Sequence, residues 1–333
     1  MSAQGVWAGL SGSAFLADVT DRDRRPARLG ATLVGGLFVG LAAATACWIL
    51  ILVPYTFIAG LGGEGLRGLG KVAERFEDPG ARGLGITLLR LLESTATDGV
   101  FPVAFVALAA LVANHPFLRY VTAATGVRWR LLAVGVCLSA IAMSPLVLAD
   151  RLSAPGGASI PMLDVAPDWL GRLGYGVSAL LLIPAAAAEE LLFRGWLMRQ
   201  VAAFTRQPVV LVMLTAVLFA AAHFDFTPDA FLTRAIMGAG FAYMTLRLGG
   251  IEFSTGVHAA NNILIVMFIE PLSLPSAPPP SGVSPGAWLG ELLMLTGYVL
   301  ITEAVVRIGP LRRWAGVRPE DIAPPLIEAA RFS

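Results

Sequence analysis

The sequence predicts an all-α, polytopic membrane protein, with about eight transmembrane helices that enclose a buried polar site. Hydrophobic residues make up 56% of the 333 residues and charged residues 14%, against roughly 45–50% and about 25% in a soluble domain. The mean hydropathy of +0.73 means that the apolar side chains cannot all fit inside a water-soluble core. Apolar stretches of membrane-spanning length also recur along the chain, which favours a helical membrane protein.

A helix that rises about 1.5 Å per residue needs about 20 mostly apolar residues to cross roughly 30 Å of hydrocarbon. The segments that meet or approach this length are 29–53, 97–113, 131–149, 173–193, 208–224, 229–247, 251–270 and 287–306. The second and the fifth are short, and the sixth contains Arg234. We therefore expect the boundaries to shift by several residues.

Basic residues predict the orientation of these helices. With the N-terminus in the cytoplasm, most loops that hold Lys or Arg lie on the cytoplasmic side, and the opposite loops 225–230 and 271–286 hold none. This asymmetry favours both termini inside, in a multi-pass protein of the plasma (inner) membrane. The long connection 54–96 is the exception, because it would lie outside although it contains five Lys or Arg residues.

The chain divides into five predicted parts. These are a cytoplasmic N-terminal segment (1–28), N-terminal transmembrane helices with an amphipathic connection (29–172), a core with the polar motifs (173–270), a loop and the last transmembrane helix (271–307), and a cytoplasmic tail (308–333). In the connection, one apolar face recurs at helical spacing through Leu84, Leu88, Leu91 and Leu92. This pattern predicts an amphipathic helix, either on the bilayer surface or as a solvated linker.

Composition also excludes some partners and cofactors. The net charge of +1 gives no basic surface, so nucleic-acid binding is not expected. The two cysteines, Cys47 and Cys137, lie far apart and outside any Cys/His pattern. Neither a disulfide framework nor a thiolate metal site is therefore predicted.

Ionisable residues inside membrane spans cost about 2.5–3.5 kcal/mol each on insertion scales, so they are first interpreted as functional. The polar groups in the predicted spans are Glu189-Glu190 followed by Arg194, His223 preceded by Phe219, His258 followed by Asn261 and Asn262, and Arg234, which stands alone. Each has a structural alternative, since a single His or Asn can simply bridge helices and a Glu pair at a span end can be interfacial. Their coincidence at similar depths favours one shared site.

Helix geometry separates the two glutamates. Glu190 and Arg194 are four residues apart, with the acid first, which is the favourable order for an ion pair on one helix face. Glu189 is rotated about 100° from that face and is left free for chemistry. We therefore interpret Glu190 and Arg194 as a structural pair.

Each of the two intramembrane histidines also lies four residues from a neighbour on its helix. His258 and Asn262 are four residues apart and are expected to face one cavity while Asn261 points elsewhere. Phe219 lies one turn before His223 and can pack beside its ring. Along straight helices, Glu189 and His258 lie roughly 15 and 12 Å deep and Asn262 roughly 18 Å, whereas His223 at roughly 22 Å falls about a turn too far out.

These three motifs, in this order on separate membrane helices, resemble those of the CAAX-protease and bacteriocin-processing (CPBP, or Abi) family of intramembrane proteases. The motifs are Glu189-Glu190-x-x-x-Arg194, Phe219-x-x-x-His223 and His258-x-x-x-Asn262. Each is weak alone, but the ordered set is fairly specific. The resemblance covers about 173–270 and implies that this part is a CPBP-like catalytic core.

The resemblance implies hydrolysis of a peptide bond inside the membrane, with four catalytic residues. Glu189 would be the general base that activates water, and His223 would help to hold that water. His258 and Asn262 would form the oxyanion hole. Glu190, Arg194 and Phe219 would give structural support. The implied partners are the lipid bilayer and a peptide or protein substrate presented in it.

The sequence is compatible with two versions of the site, one with a metal ion and one without. Glu189, His223 and His258 could hold a divalent metal such as zinc, with water in the fourth position. The HExxH spacing of soluble zinc proteases is missing, however, and Asn is a poor zinc ligand. We therefore favour a metal-free site without a cofactor.

Two alternative functions remain. A non-catalytic membrane scaffold or immunity factor would not need to keep every one of these polar residues, so the intact motifs argue against it. A transporter or proton pathway would string polar residues across the whole bilayer and use matched halves, whereas the polar set here is compact. The substrate, and whether it is prenylated, is not readable from these motifs.

Overall fold

The structure is a computed structural model that describes residues 9–61, 74, 78, 84–153, 160–164, 168–269 and 285–323. The predicted loop over 271–284 and the end of the predicted tail, 324–333, lie outside the described residues.

The described chain is helical, and three of its long helices contain π-helical turns. In the first half the helices are α1 (Pro26–Leu61), α2 (Leu84–Ser94), α3 (Phe101–Ala113), α4 (Trp129–Ser153) and α5 (Pro161–Asp164). In the second half they are α6 (Trp169–Ala179), α7 (Leu182–Glu190), α8 (Met198–Ala202), α9 (Pro208–Ala221), α10 (Pro228–Leu248), α11 (Glu252–Leu264), α12 (Pro285–Arg307) and α13 (Gly309–Trp314). The π-helical turns are Thr95–Val100, Leu191–Leu197 and Ile265–Ile269.

The predicted class, a polytopic all-α membrane protein, is confirmed. Within the described ranges no strand is present, and five helical stretches are long and apolar enough to cross a membrane. They are Pro26–Ile51, Leu84–Ala113, Trp129–Ala149, Trp169–Ala202 and Trp288–Arg307.

The predicted spans 208–224, 229–247 and 251–270 also fall on helices, but these helices are shorter or more polar. Helix α9 has 14 residues, and α10 and α11 carry much of the polar site. Every residue from Glu252 to Asn261 is buried. Because α11 is surrounded by other helices, it needs no apolar face toward lipid.

The amphipathic helix predicted in the connection forms, and it is continuous with the next helix. Helix α2 continues through Thr95–Val100 into α3 as one stretch of spanning length. Leu91 packs in a core cluster with Tyr175 and Leu182 instead of facing lipid headgroups or water. Leu91 is thus buried in the protein, whereas Leu88 on the same face is 36% exposed.

Helices α4 and α11 lie in direct backbone contact through two glycines. A Cβ atom on Gly135 would lie 2.6 Å from the carbonyl oxygen of Phe253, and one on Gly256 would collide with the backbone of Leu132. Small residues allow membrane helices to approach this closely. The crossing fixes α11, and with it His258, against α4.

Both described ends of the chain bind to one end of α10. Ser13 Oγ donates a hydrogen bond to the carbonyl oxygen of Leu246, 2.6 Å away, and the Arg247 guanidinium donates to the carbonyl oxygen of Ala323. The expected polar tail is thus partly a docked segment, in which α13 and a 3-10 turn return to the helices. Assignment of this end to the cytoplasm stays a prediction.

Arg128 connects the docked C-terminal segment to α11. Its Nε and Nη2 donate to Glu252 Oε1 and Oε2 at 3.0 and 2.7 Å, and its Nη1 lies 3.4 Å from Asp321 Oδ2. All three side chains are buried. One guanidinium here binds two carboxylates, which a fork of five N–H groups permits.

The close crossing of α4 and α11 yields a test of the fold. We expect Gly256→Ala to lower the free energy of unfolding by about 1–3 kcal/mol, because the added methyl group overpacks a backbone contact. Gly290→Ala on α12 is the matched control, since a Cβ there meets nothing within 4 Å. Thermal unfolding in detergent would measure both, and equal melting temperatures for the two variants would contradict the close contact.

Candidate active site

A buried ion pair lies at the centre of the site. Arg194 Nη1 donates to Glu190 Oε1 at 2.9 Å, and both side chains are 0% exposed. Arg194 Nη2 donates to the carbonyl oxygen of Gly238 at 2.9 Å, and the guanidinium carbon lies 4.4 Å from the centre of the Phe219 ring. The pair therefore connects the end of α7 to α10 and α9.

His258 joins this pair from α11. Its Nδ1 lies 3.1 Å from Glu190 Oε1, and its ring stacks on Phe241 with centroids 4.8 Å apart. The sequence predicted that Glu190 forms a structural pair with Arg194 on one helix. That expectation is incomplete, because the contact joins two helices and depends on packing rather than on spacing.

Glu189 points away from the pair and faces both histidines. Its Oε2 lies 3.9 Å from His223 Nε2 and 4.0 Å from His258 Nε2. Its side chain is 19% exposed, whereas that of Glu190 is 0% exposed. Glu189 therefore faces a cavity, whereas the adjacent Glu190 lies in the protein core.

His223 reaches Glu189 from a turn, not from a helix. Helix α9 ends at Ala221, and His223 Nδ1 lies 2.8 Å from the carbonyl oxygen of Phe219. The rings of Phe219 and His223 pack edge to face, with centroids 4.9 Å apart. The depth mismatch expected from straight helices is wrong, since the carboxylate and imidazole lie side by side.

Both asparagines line the same cavity as the histidines. The expectation that Asn261 points elsewhere is therefore wrong. The cavity, about 500 Å³, is wide enough to meet side chains about 100° apart on α11. Asn261 Nδ2 donates to Asn262 Oδ1 at 3.4 Å, so one amide orients the other.

Arg234 does not stand alone, contrary to the sequence-based interpretation. Its Nη1 lies 3.0 Å from Asp225 Oδ2, and both residues line the cavity. Asp225 is in the turn between α9 and α10, so the pair links this turn to α10.

Sequence reasoning also missed Asp98. It lies in the turn Thr95–Val100, which packs against α7, and Ser94 Oγ donates to it at 2.8 Å. The signal was available, since Asp98 is an ionisable residue inside the predicted span 97–113.

All three π-helical turns adjoin this site. Leu191–Leu197 follows Glu190 directly, Ile265–Ile269 comes shortly after Asn262, and Thr95–Val100 packs against α7. Such turns are rare, and they concentrate at functional sites because they redirect side chains within a helix.

The fold and site together define a polytopic helical membrane protein in which Glu, two His and Asn side chains converge on an internal cavity. Comparison with known families agrees with this class. Residues 172–264 match the family described as type II CAAX prenyl endopeptidase Rce1-like. The resemblance to the CPBP family that the motifs predicted is therefore confirmed for this segment.

A curated relative extends the similarity beyond this segment. The uncharacterized protein YyaK of Bacillus subtilis (strain 168) is 30% identical over 166 residues, which cover 47% of this chain and 54% of YyaK. The match thus spans about half the length of the relative. No solved structure matches the chain.

The buried pair is open to a stability test. We expect Glu190→Gln to destabilise the protein by about 3–5 kcal/mol, because it leaves the Arg194 charge buried without a counter-charge. Glu320→Gln is the matched control, since its pair with Arg318 is more than half exposed and contributes little. Chemical unfolding in detergent would separate them. A Glu190→Gln variant as stable as the control would show that the pair is not a structural element.

Proposed function

We propose that the protein is an intramembrane endopeptidase that hydrolyses a peptide bond in a membrane-embedded or lipid-modified peptide or protein. The convergence of Glu189 with His223 and His258 in one cavity carries the proposal. The family match supports a protease role for this segment. The roles of the individual residues below belong to the proposal.

In this mechanism Glu189 is the general base. A water molecule between Glu189 Oε2 and His223 Nε2 donates one hydrogen bond to each. Its oxygen attacks the scissile carbonyl carbon while Glu189 takes the proton. When the tetrahedral intermediate collapses, the C–N bond breaks and Glu189 returns the proton to the leaving amine.

Hydrogen bonds select the histidine tautomers that this scheme needs. The carbonyl oxygen of Phe219 can only accept, so His223 carries its proton on Nδ1 and offers a lone pair at Nε2. The Glu190 carboxylate likewise accepts from His258 Nδ1. His258 can donate from Nε2 to the oxyanion only as the imidazolium, with a proton on each nitrogen.

Asn262 supplies the second oxyanion donor. Since Asn261 donates to Asn262 Oδ1, the acceptor of the Asn262 amide is engaged and its Nδ2 is left for the cavity. Donors that are already oriented in a water-poor site stabilise developing charge strongly.

A metal-dependent version would use Glu189, His223 and His258 as ligands. Both imidazoles donate Nδ1–H to an oxygen, as zinc-bound histidines usually do. In the described part of the chain, however, no three His, Cys, Asp or Glu side chains are arranged to hold a metal ion. The proposed mechanism therefore contains no metal-dependent step.

Loss of the base is the main test. We expect Glu189→Gln to abolish cleavage while it preserves the fold, because the amide keeps the size of the side chain but cannot take a proton. Uncleaved membrane peptides should accumulate in cells that express this variant, relative to wild type, as measured by mass spectrometry of the membrane fraction. The exposed variant Glu320→Gln should behave as wild type. Identical peptide profiles for wild type and Glu189→Gln would favour the scaffold or immunity function.

Metal dependence has its own test. We expect wild-type protein that has been stripped with a chelator, and found free of metal by elemental analysis, to cleave at the untreated rate. Activity that disappears on stripping and returns with zinc would replace the metal-free scheme by the metal-dependent one.

Oxyanion stabilisation predicts a distinct kinetic signature. We expect Asn262→Leu to lower kcat about 10²- to 10³-fold with little change in KM, because the lost donor acts on charge that develops only in the transition state. Steady-state kinetics on a cleaved peptide would measure this. A change in KM alone would assign Asn262 to substrate binding instead.

A further inference from the structure

A second cavity, of about 410 Å³, lies between the N-terminal segment and the connection from α3 to α4. The N-terminal segment supplies Asp18, the connection supplies Arg119, and Arg199 of α8 forms another part of the wall. Small side chains also line the cavity and leave its space open; they are Ala14, Ala17, Ala123 and Ala124. None of these residues lines the cavity that contains Glu189, so the two cavities are separate.

The wall of this second cavity has more positive than negative charge. Asp18 accepts hydrogen bonds from both guanidiniums, from Arg119 Nη1 at 2.6 Å and from Arg199 Nη2 at 2.8 Å. Two guanidiniums and one carboxylate leave a net charge of +1, and no further ionisable residue of the described chain lines the cavity. The Arg199 side chain is only 7% exposed. Because a poorly solvated charge interacts strongly with its neighbours, the cavity favours an anion.

Hydrogen-bond donors remain for such an anion. A guanidinium has five N–H donors, and among the described residues Asp18 is the one hydrogen-bond partner of the Arg119 side chain. That side chain is 47% exposed, so a ligand can reach it. The hydroxyl group of Thr125 also lines the cavity and can donate. Guanidinium and hydroxyl donors together suit the oxygens of a phosphate group, which arginine binds through paired hydrogen bonds.

The position of the cavity corresponds to the level of lipid headgroups. The connection from α3 to α4 joins two of the membrane-spanning helical stretches, and Arg199 lies near the end of a third, Trp169–Ala202. Trp129, where the connection ends, is 71% exposed, as is typical of tryptophan at the boundary between hydrocarbon and water. The distribution of basic residues predicts that this boundary is the cytoplasmic one, and that leaflet contains the anionic lipids.

We propose that this cavity binds the phosphate group of an anionic membrane phospholipid. The phosphate accepts hydrogen bonds from Arg119 and Thr125, and its negative charge balances the group of Arg119, Asp18 and Arg199. A phospholipid with a glycerol headgroup keeps its negative charge, whereas a choline headgroup adds a positive charge that the guanidiniums repel. Because Asp18 belongs to the N-terminal segment, a bound lipid also strengthens the docking of that segment. Lipid binding at this cavity does not depend on the proposed protease function.

Matched short-chain lipids test the proposal without turnover. The probes are dioctanoyl phosphatidylglycerol and dioctanoyl phosphatidylcholine, which differ in net charge, and inorganic phosphate, which has no acyl chains. Each is titrated into full-length protein in a nonionic detergent, and the rise in melting temperature gives its apparent affinity. We expect phosphatidylglycerol to bind about tenfold more tightly than phosphatidylcholine, because hydrogen bonds between charged groups are the strong ones. Inorganic phosphate at the same concentration should stabilise the protein less than phosphatidylglycerol.

Substitutions at the cavity and beside it assign this preference. Arg119→Gln should bring the ratio of the two lipid affinities close to one, and Arg119→Lys should keep part of it. The half-exposed Arg119 is changed rather than the buried Arg199, so that the fold is preserved. Arg130→Gln is the matched control, because Arg130 is exposed at the start of α4 and does not line the cavity. It removes the same charge from the same boundary and should leave the ratio unchanged.

Three results would overturn the proposal. The first is equal affinity of the wild-type protein for the two lipids. The second is a preference that survives Arg119→Gln or that falls equally in Arg130→Gln, since it would then come from the charge of the whole surface. The third is stabilisation by inorganic phosphate as strong as that by phosphatidylglycerol, which would assign the cavity to a soluble anion instead of a lipid.

Discussion

The buried ion pair between Glu190 and Arg194 is the constraint on which the site depends. Both side chains are fully buried, and two unpaired charges there would cost several kcal/mol each. Each partner therefore needs the other, and each also contacts a group on another helix. Arg194 binds the carbonyl oxygen of Gly238 on α10, while Glu190 binds His258 on α11. One local pair thus sets the spacing of three helices.

This constraint also explains why two adjacent glutamates differ. Because Glu190 must face Arg194, the helix turns Glu189 about 100° away, into the cavity between His223 and His258. The aromatic rings reinforce the arrangement. Phe219 lies under the Arg194 guanidinium and packs edge to face against both imidazoles. The Phe219 ring therefore contacts both the buried pair and the two histidines proposed to act in catalysis.

Local spacing made part of this site predictable from the sequence. Residues four apart on a helix must share a face, so the pairing of Glu190 with Arg194 follows from the sequence. Contacts between residues on different helices do not follow from their spacing in the sequence. The contact of Glu190 with His258 depends on how α7 and α11 cross, and the ion pair of Arg234 with Asp225 depends on the path of the turn before α10. The packing of Leu91 of α2 against Tyr175 and Leu182 was not predictable for the same reason, because an amphipathic face does not reveal whether lipid, water or protein covers it.

Charge balance connects the structural pair to the proposed chemistry. Arg194 compensates Glu190, so Glu189 lacks a cation of its own within the central group unless His258 carries two protons. That protonation state is also the one in which His258 Nε2 can donate. In the proposed step, Glu189 would take a proton from water, and negative charge would move from its carboxylate, 4.0 Å from His258 Nε2, to the oxyanion. The net charge of the site stays constant during the step. A poorly solvated cavity favours a step that leaves the net charge unchanged, because no water has to reorganise around a new charge.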